Sequence, residues 1–282
     1  MRIKSKEQLI ARLMTIGDIL EEDERYSESA FVIQDLLEEA SYYDVDELKQ
    51  YATTGLHESD AAYPMHPQIA DLIIDIYMDG IENEDPDSMT NLGSLYYTGR
   101  AGEQDYGKAA YYYHLADLAG ERQATENLGY IYYYGRTGEK DYEKAFQYFL
   151  KGALDGHLRS LYKVGDFYKN GYYVEKDPKE AFRIYERCLE TMTEEALPLV
   201  GADVYMRMGD CYHKGIGVEK DLLKAQEMLS TAENMFYKRL MEGDFYQKRN
   251  LQHVLDTEAE IRQEIAEELL PDLSWSGYAS ES

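Results

Sequence analysis

A glycine follows an apolar residue at Gly93, Gly129, Gly165 and Gly209, at intervals of 36, 36 and 44 residues. Three further landmark sets move in the same register. They are a second glycine set (Gly99, Gly135, Gly171, Gly215), an aspartate set (Asp105, Asp141, Asp177, Asp221) and an alanine set (Ala109, Ala145, Ala181, Ala225). Four landmarks travelling together over four copies define a repeat chain. Each unit of such a chain buries its apolar face only by stacking on a neighbour, and this requirement fixes the fold class before any other consideration.

Each landmark has a physical role. The Gly99 set follows an apolar helical pattern, at the place where a helix ends in a left-handed residue and a Cβ is disfavoured. The aspartates precede the next apolar-periodic segment, where a carboxylate can accept from the free N–H groups of the first turn. In the third copy Asp177-Pro178 is followed by Glu180, which adds proline at the first helical position and a capping-box acid. The Gly93 set falls inside the first helix, where glycine costs roughly 1 kcal/mol relative to alanine. Its recurrence predicts a point where a neighbouring helix approaches too closely for a side chain, and the alanine set predicts the same in the second helix.

The stretch from Met208 to Ala225 spells M-G-x-x-Y-x-x-G-x-G-V-x-x-D-x-x-K-A. It resembles the Sel-one-like repeat, a tetratricopeptide-like helix pair, with Met208 in place of the family's leucine. The copies containing Leu92-Gly93, Tyr96 and Lys108-Ala109, and Leu128-Gly129, Tyr132 and Lys144-Ala145, are similar to it. The third copy departs: Val164 replaces the leucine, Tyr173 the second turn glycine and Glu180 the lysine, and an eight-residue insertion follows. The resemblance implies an all-α fold, a right-handed α/α superhelix or solenoid. Residues 86–243 are expected to hold four repeats. Residues 1–85 are expected to be N-terminal helices from degenerate repeats, with Ile16-Gly17 and Ala30 echoing the signature, Asp44 and Glu47 forming a capping box, a helix ending near Gly55, and another from about Gln68 closed by Gly80. Residues 244–270 are expected to form a capping helix, and 271–282, which hold Trp275, a disordered tail ending the helix at Pro271.

With 55 acidic against 29 basic residues the formal charge is −26. That balance opposes binding to nucleic acid or an anionic membrane through phosphate neutralisation, and suits a partner with a basic surface. The first residues hold no apolar run of signal-peptide length, and nothing later is long enough to span a bilayer. Two cysteines make no disulfide framework. Cys211 falls in the core column of Leu95, Ile131 and Phe167, and Cys188 in the small-residue column of Ala116, Gly152 and Ala232. Both are therefore expected to be buried, and a cytoplasmic location follows. No zinc-spaced His or Cys pair and no phosphate loop occurs, and no cofactor is expected. With so many acids, singling out a general acid and base is arbitrary.

At about 100° per residue, positions −1, +2 and +3 from the Gly93 set share a core face, and −3, −2, +1, +4 and +5 lie opposite. In tetratricopeptide-like solenoids that opposite side lines the concave, peptide-binding groove. The candidate partner-binding residues are therefore Asn91, Asn127, Lys163 and Arg207 at −2, Ser94, Tyr130, Asp166 and Asp210 at +1, and Tyr97, Tyr133, Lys169 and His213 at +4. Amides, Lys and Arg clamp carboxylates or carbonyls, and Tyr supplies rigid contact area. The rise from amides to Lys and Arg suggests a ligand whose acidic end lies toward the fourth repeat. The expected function is a non-enzymatic protein- or peptide-binding scaffold or adaptor. One alternative is an immunity or antitoxin protein against a basic effector. Another is a β-lactamase-like hydrolase, which the resemblance suggests through cysteine-rich relatives but no nucleophile–base set here supports.

Overall fold

The computed structural model describes residues 3, 5–60 and 64–269. Among them, no strand occurs and thirteen α-helices follow one another: α1 Lys6–Leu20, α2 Ser27–Glu39, α3 Val45–Glu58, α4 Pro67–Glu82, α5 Pro86–Thr98, α6 Tyr106–Leu118, α7 Arg122–Tyr134, α8 Tyr142–Leu154, α9 Leu158–Asn170, α10 Pro178–Glu190, α11 Leu197–Lys214, α12 Leu222–Met241 and α13 Lys248–Leu269. The chain divides into two compact units, residues 1–145 and 146–282. The tail with Trp275 and the helix stop at Pro271 lie outside the described residues.

The turn chemistry explains the helix ends. Gly99, Gly135, Gly171 and Gly215 close α5, α7, α9 and α11 with φ of 70, 67, 74 and 64°. Asp105, Asp141, Asp177 and Asp221 each accept from the backbone N–H three residues on, at 2.9–3.0 Å. Tyr173, standing where the fourth copy has Gly217, adopts the same left-handed conformation at φ 62°. Glu180 closes no capping box; its carboxylate takes Arg183 at 3.2 Å instead.

Packing accounts for the interior landmarks. A Cβ on Gly93 would meet the Tyr113 ring at 2.7 Å, and one on Gly209 the Leu229 side chain at 2.5 Å. Ala109, Ala145, Ala181 and Ala225 are fully buried, as are Cys188 and Cys211. The signature lysine has a partner too. Lys108, Lys144 and Lys224 sit 4.8, 5.0 and 5.4 Å over the rings of Tyr96, Tyr132 and Tyr212, a cation–π pairing that keeps a half-buried ring covered. In the third copy, where Glu180 replaces lysine, Tyr168 packs edge-on to Phe146 at 6.2 Å.

The N-terminal helices differ in detail from the sequence expectation. The Asp44/Glu47 capping box forms, but α3 continues past Gly55 to Glu58. Gly80 does not close α4, which runs to Glu82 and is capped at Asn83. Its missing side chain admits Ser88, whose Oγ would lie 2.1 Å from a Cβ there. After α12, Phe245–Gln247 form a single 3-10 turn, and α13 then lays Leu251, Val254 and Ile261 into the core shared with α12.

Candidate functional site

In the first unit the candidate residues remain at the surface. Asn91 is exposed, while Ser94, Tyr97, Asn127, Tyr130 and Tyr133 are half-buried. Burial raises the pKa of the Tyr113 phenol, and neighbouring Ser94 opposes the shift. Asn127 Oδ1 accepts from Gln123 Nε2 at 3.3 Å.

The tyrosines join into one run. Tyr97 meets Tyr106 edge-on at 5.2 Å. The Arg136 guanidinium lies 5.3 Å from the ring centres of both Tyr106 and Tyr134. Tyr134 in turn stacks on Tyr130 at 6.1 Å and meets Tyr133 edge-on at 5.0 Å. Tyr133 reaches Tyr142 at 5.7 Å. Local structure places these groups. Tyr97 and Tyr134 stand in the last turns of α5 and α7, just before the left-handed glycines, and Tyr106 and Tyr142 open α6 and α8 directly after the capping aspartates. The helix-pair turns of the first two copies thus share an aromatic edge, with Tyr134 48% exposed and Arg136 exposed. Tyr106, Arg136 and Tyr142 fall outside the helical face used to select candidates, while Tyr134, at +5, lies on that face but outside the three columns chosen. The sequence signal for them is the recurring Asp-Tyr at 105–106 and 141–142 together with Tyr134-Gly135-Arg136.

In the second unit most candidates turn inward. Lys163, Asp166, Arg207 and His213 are only 8, 7, 9 and 4% exposed. Arg207 donates from Nε and Nη2 to the two Asp166 oxygens at 2.8 and 2.9 Å, and from Nη1 to the Asp203 carbonyl at 2.8 Å. Tyr185 Oη donates to Asp166 at 2.8 Å and Lys163 Nζ lies 3.4 Å away. The guanidinium also covers the Tyr162 ring at 4.1 Å. Burial pushes the Asp166 carboxyl upward, but the charge and hydrogen bonds of Arg207, with Lys163, outweigh it and hold the pKa well below the usual carboxylate range. Burial also lowers the Lys163 pKa.

The fourth copy is engaged by α13. His213 Nε2 lies 2.7 Å from Glu264 Oε1, and Asp210 Oδ1 3.0 Å from His253 Nε2. Lys169 is half-buried and lines a cleft with Lys176, Pro178, Lys179 and the Gly215–Val218 turn. The charge rise from Asn91 and Asn127 to Lys163 and Arg207 is therefore not presented to a ligand. The physical reason is the stacking of α11 on α9, which sets the −2 position of α11 beside the +1 position of α9. Arg207 finds Asp166 in this way.

Burial pushes both the Cys188 and Cys211 thiols up to about 12, so neither is a thiolate near neutral pH and neither suits nucleophilic or metal chemistry. Among the described residues, no group of three His, Cys, Asp or Glu could hold a metal ion, and no helix is long and apolar enough to cross a membrane.

The family model described as Sel1 repeat matches residues 86–116, 122–157, 158–187 and 202–235, which are the four helix pairs from α5–α6 to α11–α12. Among solved structures, a Sel1 repeat protein from Oxalobacter formigenes is similar at a TM-score of 0.56 and 20% identity, covering 89% of this chain and 99% of that one. A protective antigen of uropathogenic Escherichia coli strains, displaying an SLR fold, is similar at 0.53 and 21% identity, covering 84% of this chain and 48% of that one. No curated protein matches the sequence. These likenesses at low identity speak to the fold, and the turn glycines, capping aspartates and stacked lysines supply the repeat chemistry beneath it. The chain belongs to the Sel1-like repeat family.

Proposed function

We propose that the chain is a non-catalytic scaffold that binds a protein or peptide through the first-unit surface formed by Asn91, Ser94, Tyr97, Asn127, Tyr130 and Tyr133, extended by Tyr106, Tyr134, Arg136 and Tyr142. The carrying observation is the run of tyrosines pinned around Arg136 at a half-exposed edge. Tyr and Arg dominate interface hot spots because they bring large area and directed hydrogen bonds at small entropic cost. Rings already fixed against one another lose still less freedom on binding.

On this reading Lys163, Asp166, Arg207, Asp210 and His213 hold the second unit together, and Lys169 alone among its candidates keeps an open cleft. The test uses the full chain as bait for affinity capture with mass spectrometry, followed by titration of the captured partner. Tyr134→Ala or Arg136→Ala should weaken binding by about 1 kcal/mol or more, with an unchanged circular dichroism spectrum. Equal affinity of wild type and both variants would rule the edge out.

A further inference from the structure

A cleft between α1 and α2 is floored by Gly17, Leu20, Ile33 and Leu37, with Met14 and Phe31 at its lips. Met14 is 54% exposed and Phe31 69%. Phe31 also borders a second depression containing Val32, Gly55 and Ser59, so one large ring stands between two hollows. Glycine sets the depth: a Cβ on Gly17 would lie 3.3 Å from Ile33, and one on Gly55 only 2.7 Å from Val32.

The rim carries one sign of charge. From Met14 to Glu39 the sequence holds nine acidic residues and a single base, Arg25. Arg25 is tied to Asp23 at 2.6 Å. Asp18, Glu21, Asp23, Glu24 and Glu38 line the cleft itself. Low-dielectric walls bearing one sign of charge focus the field on whatever enters. A second copy of this chain would bring two such rims together, and anionic lipid headgroups would be repelled in the same way. An apolar occupant with basic flanks meets both features at once. We propose that this cleft docks an amphipathic helix of a partner protein, its apolar ridge over Phe31 and Met14 and its Lys or Arg flanks against the acidic rim. Helix-in-groove recognition has this anatomy. The cleft shares no residue with the tyrosine edge, so either reading can fail alone.

Two labelled synthetic helices with the same leucine ridge test it, one flanked by Lys and one by Glu, each titrated with the full chain by fluorescence anisotropy. The Lys-flanked helix should bind, weaken with added salt, and exceed the Glu-flanked one by about tenfold or more. Phe31→Ala should reduce its affinity about tenfold, while Tyr134→Ala leaves it unchanged. Phe31 is exposed, so both variants should keep the wild-type circular dichroism spectrum. Failure of both helices to bind, or equal binding of the two, overturns the proposal. So does a Lys-flanked affinity that survives Phe31→Ala, which would make the attraction bulk charge alone. A concentration-dependent dimer abolished by Phe31→Ala would assign the cleft to a second copy instead.

Discussion

Asp166 is buried, ionised and surrounded by three donors, and its partner Arg207 has almost no solvent to fall back on. Removing the arginine strands a charge, and breaking a buried pair on one side destabilises by about 3–5 kcal/mol. Arg207→Ala should show this in urea unfolding, and a loss below about 1 kcal/mol would mean that solvent reaches the carboxylate. The pH dependence has a definite sign. A carboxylate whose folded pKa is depressed contributes stability above its unfolded pKa and loses it as pH falls through the folded value. In Arg207→Ala burial acts on Asp166 without the arginine's opposition, so the variant's carboxyl takes up a proton at higher pH than the wild type's. The stability gap should be widest near neutral pH and shrink as pH falls through the variant's raised pKa. The two cysteines make a second residue-scale expectation. Cys188 and Cys211 should label slowly in the native protein with a bulky thiol reagent, at a rate set by unfolding, and a fast native phase would contradict their burial.

Helix α13 takes the place beside α11 that α11 takes beside α9. His253 pairs with Asp210 much as Arg207 pairs with Asp166, so the last helix behaves as the first half of a further repeat. The hydrogen bond to Asp210 raises the His253 pKa above its ordinary value, partly opposed by burial. A raised histidine pKa contributes stability below the unfolded pKa, about 6.5, and loses it as pH rises through the folded pKa. Hydrogen-exchange protection factors in α13 should decline from about pH 6 to 8 in the wild type and stay level in His253→Gln. A decline of equal size in the variant would assign the effect to another group. This pairing was not legible in the sequence, because the partner of Asp210 lies 43 residues away on a helix that lacks the repeat signature.

Across the molecule, what the sequence revealed divides by the range of the interactions. The helix pairs from Asp85 to Met241 were readable because glycine φ and aspartate caps act within a few residues. Gly80 misled because a glycine inside a helix can mark a close approach as well as an end, and only the position of Ser88 decides between them. The candidate surface was half legible. Face geometry on a single helix selects Tyr97, Tyr130 and Tyr133, but it is blind to the next helix, which covers Lys163, Asp166 and Arg207. It is equally blind to turn residues such as Arg136. The central claim is that binding belongs to the tyrosine–arginine edge of the first unit. Hydrogen exchange of the full chain, with and without its captured partner, tests it most directly. Binding should slow exchange in segments spanning residues 91–106 and 127–142. Protection confined to residues 158–170 and 203–215, with the tyrosine segments unchanged, would contradict it.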